Sequence, residues 1–346
     1  MATNLAFAGK TVLITGGTGS FGRTLARRLL KEDACKKIII FSRDEWKQWE
    51  MEQSDPIFYH RAGDVSKIRY FLGDVRDLNR LIRAFNDVDV VVHAAALKQV
   101  PAAEYNPTEF IKTNVIGAMN IIDAAINCGV QKVIALSTDK AVNPVNLYGA
   151  TKLCSDKLFS AGNVYVGSKR DTKFSVVRYG NVFGSRGSLI PFWQKLIAEN
   201  APALPITDLR MTRFWITLDQ AVDFVLNCSI LMQGGEIFVP KIPSMKIVDL
   251  ANVIAPNLPH KVVGIRPGEK LHELMIGQED ARHSLEFDKY YMIVPEVFSQ
   301  DPKRLKEFLA GRKGNPLPEN FAYTSDTNTQ WLTPTELSGF LADTHK

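Results

Sequence analysis

Tyr148 and Lys152 stand four residues apart in "NLYGATK", so a helix carrying both presents them on one face. Pro144 and Asn146 lead into such a helix. A phenol with its ordinary pKa of about 10 is a poor base near neutrality, but a neighbouring ammonium and a positively charged nicotinamide ring favour the phenolate. Tyr148 can then remove a hydroxyl proton while hydride leaves the same carbon for the nicotinamide. Thr138, at the end of "KVIALST", supplies a supporting hydroxyl. Directly after it come Asp139 and Lys140, a carboxylate beside an amine, and simple oxidation uses neither. An adjacent Asp and Lys also make an ordinary surface ion pair, and the spacing alone does not choose.

A second group of residues could hold the nicotinamide nucleotide. Gly16, Gly19 and Gly22 punctuate "TGGTGSFG", with Thr18, Ser20 and Phe21 between them, directly after the first apolar run and at the start of an amphipathic segment. Strand, glycine loop and helix in that order suit a pyrophosphate. Gly16 permits the tight turn, Gly19 lets backbone approach the anion, Gly22 lets helix pack on sheet, and the helix N-terminus faces the charge. The second run ends Ser42-Arg43-Asp44, with Lys47 one helical turn on. Arg43 and Lys47 suit a 2′-phosphate, whereas Asp44 suits the ribose hydroxyls of NAD; we expect NADP. Asp74 and Val75 follow the third run and should flank adenine, and Ala94, Ala95 and Ala96 follow the fourth and leave room for the cofactor backbone.

These residues need a scaffold that brings strand ends together. Runs rich in β-branched residues, "TVLITGG", "KIIIFSR", "IRYFLGDV", "VDVVVHAAA", "KVIALST" and "FSVVRYGNVFG", alternate with amphipathic segments over 20–33, 77–86, 107–128 and 147–160. Several runs are apolar on successive residues, as strands covered on both faces must be. The expected class is α/β, a doubly wound parallel sheet with a second, smaller substrate-binding lobe. Prolines after residue 180 break the rhythm, with helices over 218–232 and 247–255. We therefore expect a nucleotide-binding domain over 1–180 with a returning segment 214–240, and a lobe from 181–213 and 241–346. The stretch "GRKGNPLPENFAYTSDTNTQ" reads as extended surface chain.

Composition narrows the class. The 346 residues, 45% apolar and 23% charged, describe a folded globular protein with a sizeable core. No apolar run reaches the eighteen or so residues of a membrane span, and the first residues lack the features of a secretory signal, so we expect a cytoplasmic protein with no membrane partner. Four scattered cysteines and six histidines without ligand spacing give no expectation of disulfide or metal. A net charge of +5 without a long basic run fits phosphorylated small ligands, and we expect no nucleic-acid partner.

Together "ITGGTGSFG", "FSRDE", "GDVRD", "HAAALKQVP", "KTNVIGAMN", "STDKAVNPVNLYGATK", "RYGNVFGSRGS", "MTRFWIT" and "RPGEKLHE" carry a resemblance from residue 11 to about 280. The chain resembles the extended short-chain dehydrogenase/reductases, and among them the inverting UDP-N-acetylglucosamine 4,6-dehydratases of the pseudaminic acid pathway. The resemblance implies oxidation at carbon 4, loss of water across carbons 5 and 6, and hydride return to carbon 6. It implies Asp139 as the acid and Lys140 as the base of the elimination, with inversion at carbon 5. Retaining relatives read "STDE" here, and a related group keeps the Asp-Lys pair but lacks the tyrosine. Lys98 and Asn181 match positions facing the sugar nucleotide, the helix entered near Ser188 suits a diphosphate, and Arg266 offers a charged fork for phosphate. Arg213, Phe214 and Trp215 fit either lobe packing or substrate contact, and His272 fits a local hydrogen bond. Helices over 107–128 and 147–160 imply a homo-oligomer. Two other functions stay open: a nucleotide-sugar 4-epimerase or reductase using only Thr138, Tyr148 and Lys152, and a non-catalytic NADP-sensing regulator.

Overall fold

In the computed structural model, which describes residues 7–59, 66–167 and 170–343, the six β-branched runs become strands. They are β1 (Thr11–Thr15), β2 (Lys37–Ser42), β3 (Ile68–Leu72), β4 (Val90–His93), β5 (Lys132–Thr138) and β6 (Lys173–Tyr179). All pair in parallel in the order β3-β2-β1-β4-β5-β6, and the strand Ile237–Pro240 extends the parallel part beyond β6. Every residue of β1 and β4 is buried, because helices cover both faces. This is the expected doubly wound sheet. The strand order reverses between β1 and β4, and open sheets bind ligands at that crevice. There Thr15 Oγ1 and His93 Nδ1 share a 2.8 Å hydrogen bond that ties the two strand ends together.

The helices fall where the amphipathic segments predict, over Ser20–Lys31, Leu78–Ala84, Leu147–Tyr165, Leu218–Leu231 and Ile247–Ile254. The segment 107–128 differs from one continuous helix. It opens with Pro107–Phe110, passes through a π-helical turn at Ile111–Ile116, and continues as Gly117–Cys128. The extra residue of the π-turn carries Asn114 into the interior, where a regular helix would have rotated it differently.

Residues 284–316, expected in the lobe, instead lengthen the main sheet. Strands Tyr290–Ile293, Ser284–Glu286 and Asn315–Pro316 add to its edge in antiparallel fashion. The stretch expected as extended surface chain is extended but not superficial: Tyr323 and Ser325 are buried. Tyr323 donates to the Ile242 carbonyl and accepts from the Ile242 amide, both at 2.9 Å. Its burial was hidden because the alternation of Phe321, Tyr323 and Ser325 is only three positions long and ends on a polar residue.

The lobe has its own core of Trp193, Trp215, Leu250 and Leu337. Its three-stranded sheet joins Asn181–Val182, Thr212–Ile216 and Ser244–Lys246. Strand Thr212–Ile216 lies between the two cores. Phe214 packs into the main one and Trp215 into the lobe, which leaves Arg213 buried at the seam. Among the described residues no helix is long and apolar enough to cross a membrane.

Candidate active site

A cavity of about 630 Å³ opens at the C-terminal ends of the parallel strands. Gly16, Thr18, Gly19, Ser20, Phe21 and Gly22 form its floor beside β1. Gly16 has φ +65° and its Cα side lies so close to Ala95 that a Cβ would stand 2.9 Å from the Ala95 backbone. The helix Ser20–Lys31 starts here with no side-chain cap and no acidic residue in its first turn, so its free amides and positive dipole end face the cavity. A pyrophosphate fits that donor set. The Arg186 amide donates to Ser20 Oγ at 3.2 Å, which brings the loop after β6 against the glycine loop.

Ser42, Arg43, Asp44 and Lys47 line the far end. Asp44 caps the helix Glu45–Ser54 by accepting from the Lys47 amide at 3.0 Å, and its other oxygen pairs with Lys47 Nζ at 2.8 Å. Lys47 thereby holds the Asp44 carboxyl below its usual range. Arg43 has no ion-pair partner among the described residues and faces the cavity. Asp74 and Val75 line the same end, with Asp74 gripped by Arg76 at 2.8 Å. Ala94 and Ala96 form the wall after β4, and Lys98 follows them.

At the other end β5 delivers Thr138, and a 3₁₀ turn, Asp139–Ala141, follows directly. Asn146 caps the helix Leu147–Tyr165, accepting from the Gly149 amide at 2.8 Å, a bond worth about 1 kcal/mol to a helix start. Gly149 is required: any Cβ there would overlap the Lys140 carbonyl oxygen, so the absence of a side chain lets the helix Leu147–Tyr165 lie against the turn Asp139–Ala141. Thr138, Lys140, Tyr148 and Lys152 all line the cavity. The Tyr148 hydroxyl is hydrogen-bonded to Thr138; burial pushes it up to about 12, with the Lys140 charge and that bond opposing. Lys152 donates to the Leu136 carbonyl at 2.7 Å, and burial pushes its ammonium down while Asp156 opposes. In this arrangement the charge that favours the phenolate comes from Lys140, while Asp139 and Asp156 act against it. Burial and the Lys152 charge push the His93 ring down to about 3, so it stays neutral at the sheet crevice.

Asp139 is fully buried and contributes no atom to the cavity wall. Its Oδ1 accepts from Thr138 Oγ1 at 2.8 Å and from Lys140 Nζ at 3.0 Å. Lys140 Nζ also reaches Glu273 Oε1 at 3.2 Å, and that oxygen lies 3.4 Å from Arg213 Nε. Burial and the Glu273 charge raise the Asp139 carboxyl. Lys140 resists its own burial because Asp139 and Glu273 hold its ammonium above the usual value. Lys140 can serve as the base that the resemblance implies only after its ammonium has given up a proton.

Asn181 lines the cavity beside the loop Ser185–Ser188, whereas Arg266 stands exposed near Glu269 and outside the cavity wall. His272 makes the local hydrogen bond expected, with Thr212 Oγ1 at 2.8 Å. Two residues escaped sequence reasoning. Glu273 ends "RPGEKLHE" without any spacing to mark it. Asn114 accepts from the Leu97 amide at 2.9 Å and donates to the Leu97 carbonyl at 2.9 Å and to Thr151 Oγ1 at 3.0 Å, joining the loop after β4 to the catalytic helix.

With this geometry in place, comparison with known proteins is decisive about lineage. The family model described as polysaccharide biosynthesis protein matches residues 12–295. The chain belongs to this family. The resemblance to extended short-chain dehydrogenase/reductases and their inverting dehydratases is borne out. A UDP-N-acetylglucosamine 4,6-dehydratase (inverting) of Campylobacter jejuni subsp. jejuni serotype O:23/36 (strain 81-176) is 57% identical over 332 residues, spanning 96% of this chain and 97% of that one. A UDP-glucose 4-epimerase of Rickettsia bellii (strain OSU 85-389) is 42% identical over 342 residues, spanning 97% and 96%. Among solved structures, Pen from Bacillus thuringiensis superposes with a TM-score of 0.86 at 32% identity, covering 98% of both chains.

Removing Asn114 tests the positioning of this wall. Asn114→Ala leaves the Leu97 amide and carbonyl and the Thr151 hydroxyl without their partner, and we expect a loss of roughly 2 to 4 kcal/mol in urea unfolding. A loss below about 1 kcal/mol would contradict the role.

Proposed function

We propose that this protein is an NADP-dependent UDP-N-acetylglucosamine 4,6-dehydratase that inverts carbon 5, yielding a UDP-2-acetamido-2,6-dideoxy-hexos-4-ulose for pseudaminic acid synthesis. The observation that carries the reading is the Asp139–Lys140 pair, its carboxylate buried and its ammonium half-buried at the cavity, hydrogen-bonded at 3.0 Å beside Thr138 and Tyr148, in a chain 57% identical to a protein of that name. An oxidation alone does not need the pair. Burying it is costly, and the site keeps it at the cavity where a sugar would lie.

The glycine loop, Arg43, Lys47 and Lys152 would hold the nicotinamide nucleotide. When bound it supplies reversible hydride acceptance, from carbon 4 and back to carbon 6. NADP is supported by the unpartnered Arg43 and by the commitment of Asp44 to its cap and to Lys47. Tyr148, relayed through Thr138, takes the hydroxyl proton at carbon 4. The ketone then acidifies the proton on carbon 5. Lys140, neutral once its proton has passed to Asp139, takes that carbon-5 proton. The carbon–hydrogen electron pair becomes the carbon 5–carbon 6 double bond, and the carbon-6 hydroxyl leaves. Asp139 returns the proton needed to make it water, through Thr138 Oγ1, which touches Asp139 and faces the cavity. As hydride returns to carbon 6, carbon 5 takes a proton from solvent on the opposite face, which inverts it, and Tyr148 releases the proton it took to solvent in exchange. Lys98 and Asn181 would face the sugar nucleotide, and the helix Leu189–Ala198 offers its N-terminus to the diphosphate. Arg266 reaches a phosphate only if its loop moves toward the cavity.

A 4-epimerase reading has a specific support, the 42% identical relative that bears that name. It leaves the Asp139–Lys140 pair without a task. A non-catalytic NADP sensor would leave the buried Tyr148 and Lys152 without one. We further propose a cytoplasmic homo-oligomer, paired through the segments that expose Ile111, Ile116 and Met119.

Incubation with UDP-N-acetylglucosamine, followed by NMR, separates a 6-deoxy-4-keto sugar from an epimer. Lys140→Met should still form reduced nicotinamide in a single turnover but lose product by at least about a hundredfold, the scale of a general base. Near wild-type product from that variant would reduce the pair to a structural ion pair. Arg43→Ala should weaken NADP binding by about 1 to 3 kcal/mol and leave NAD binding nearly unchanged in calorimetry, and equal losses would remove the NADP assignment.

A further inference from the structure

Glu273 belongs to no part of the dehydratase chemistry described above, yet it touches its base. The residue lies just before the strand Leu274–Ile276 and is 2% exposed. Its Oε1 stands 3.2 Å from Lys140 Nζ and 3.4 Å from Arg213 Nε, and its Oε2 is buried without a hydrogen-bond partner. The backbone of Glu273 is clamped on both sides. Its amide donates to Ser325 Oγ at 2.9 Å and its carbonyl accepts from the Ser325 amide at 2.9 Å. Arg213 is fixed in turn by donating to the carbonyls of Thr212, Leu271 and Lys270 at 2.7 to 3.1 Å. Such bracing is more than an incidental ion pair needs.

We propose that Glu273 is a positioning residue of the elimination: it holds Lys140 Nζ against Asp139 and keeps one proton in that pair. The proposal rests on the dehydratase reading. With one proton shared, the pair is either Asp139 carboxylate with Lys140 ammonium, or Asp139 acid with Lys140 amine. Transfer from Nζ to Oδ1 interconverts them with no change in net charge, so it needs no outside charge to compensate it. Only the acid and amine form can both take a proton from carbon 5 and give one to the departing hydroxyl. Afterwards the pair is again carboxylate and ammonium, ready to repeat the transfer.

The surrounding charges explain why a second carboxylate is needed. Lys140 is faced by Asp139, Glu273, Arg213, Lys98, Lys270 and the Tyr148 phenol. Without Glu273 the cations Arg213, Lys98 and Lys270 remain with only Asp139 to balance them. Their field lowers the pH at which the last proton leaves the pair, giving carboxylate beside amine, which can accept a proton but has none to give. Since a lost negative charge lowers both titrations of the pair, the alkaline limb of the elimination must move to lower pH.

The test compares wild type, Glu273→Gln and Glu273→Asp as full-length protein loaded with NADP, using UDP-N-acetylglucosamine between about pH 6 and 10. Product is read by NMR and reduced nicotinamide by single-turnover absorbance. For Glu273→Gln we expect the absorbance transient within about threefold of wild type, product slowed about tenfold or more, and an alkaline limb that comes down into this pH range, where wild type, with its ammonium held above the usual value, shows none. Glu273→Asp should return the limb toward the wild-type position. An unmoved or raised limb overturns the proposal, as does equal loss of transient and product, which would mark a purely structural residue. Wild type that makes no 6-deoxy-4-keto sugar overturns the dehydratase reading and this proposal with it. Wild type that makes it while Glu273→Gln keeps its pH profile overturns the Glu273 role alone.

Discussion

A lysine ammonium held between two buried carboxylates is the constraint around which this structure is arranged. Lys140 Nζ lies 3.0 Å from Asp139 and 3.2 Å from Glu273, and Arg213 closes the group on its far side. None of these charges is tolerable there alone; leaving one member of a buried pair without its partner typically costs about 3 to 5 kcal/mol. They come from separate places in the chain: the end of β5, the seam strand Thr212–Ile216, and the segment before Leu274–Ile276. Electrostatics therefore requires the lobe to close on the sheet where the chemistry is placed. Lys270 Nζ bonds the Val142 carbonyl, and Asn146 donates to the Gly268 carbonyl at 2.7 Å, so the same segment also braces the start of the catalytic helix.

This coupling separates the two ends of the cavity by what they demand. The nucleotide end is made mostly from backbone amides, small residues and exposed cations, supplied by the loops that follow β1, β2, β3 and β4. It needs only close approach. On the proposed reading the sugar end moves protons between groups whose ordinary affinities differ widely, and burial and neighbouring charges shift each of them. Asp139 is raised by burial and by Glu273, and Tyr148 is raised by burial while Lys140 opposes. On this proposed reading, elimination depends on a few charges behind β5 and not on the sheet itself.

What the sequence disclosed was what lies close along the chain. The glycine loop follows its strand and opens its helix within a few residues. Tyr148, Lys152 and the Thr138–Lys140 run sit within one turn-and-helix unit, so spacing alone brings them together. Arg213 was visible but ambiguous, because a strand buried on both faces gives no alternation to say which side chain meets solvent. Glu273 and Ser325 were not legible: their partners are far off in sequence, and a lone glutamate or serine has no period. Asn114 was hidden by the π-turn, which breaks the helical register on which such readings depend. The tail from 311 to 330 looked like surface chain for a related reason. Tyr323 and Ser325 are buried at alternate positions of a run too short to declare a strand, and they act by closing over Ile242 and Glu273.

The central claim is that one active site removes hydride from carbon 4, eliminates water through the buried pair, and delivers the same hydride to carbon 6. The most direct measurement supplies UDP-N-acetylglucosamine carrying deuterium on carbon 4, with no added reductant, and locates the label by NMR. The account predicts a 6-deoxy-4-keto product with deuterium on carbon 6. Deuterium found back on carbon 4 of an epimerised sugar, or lost to free cofactor, would contradict it.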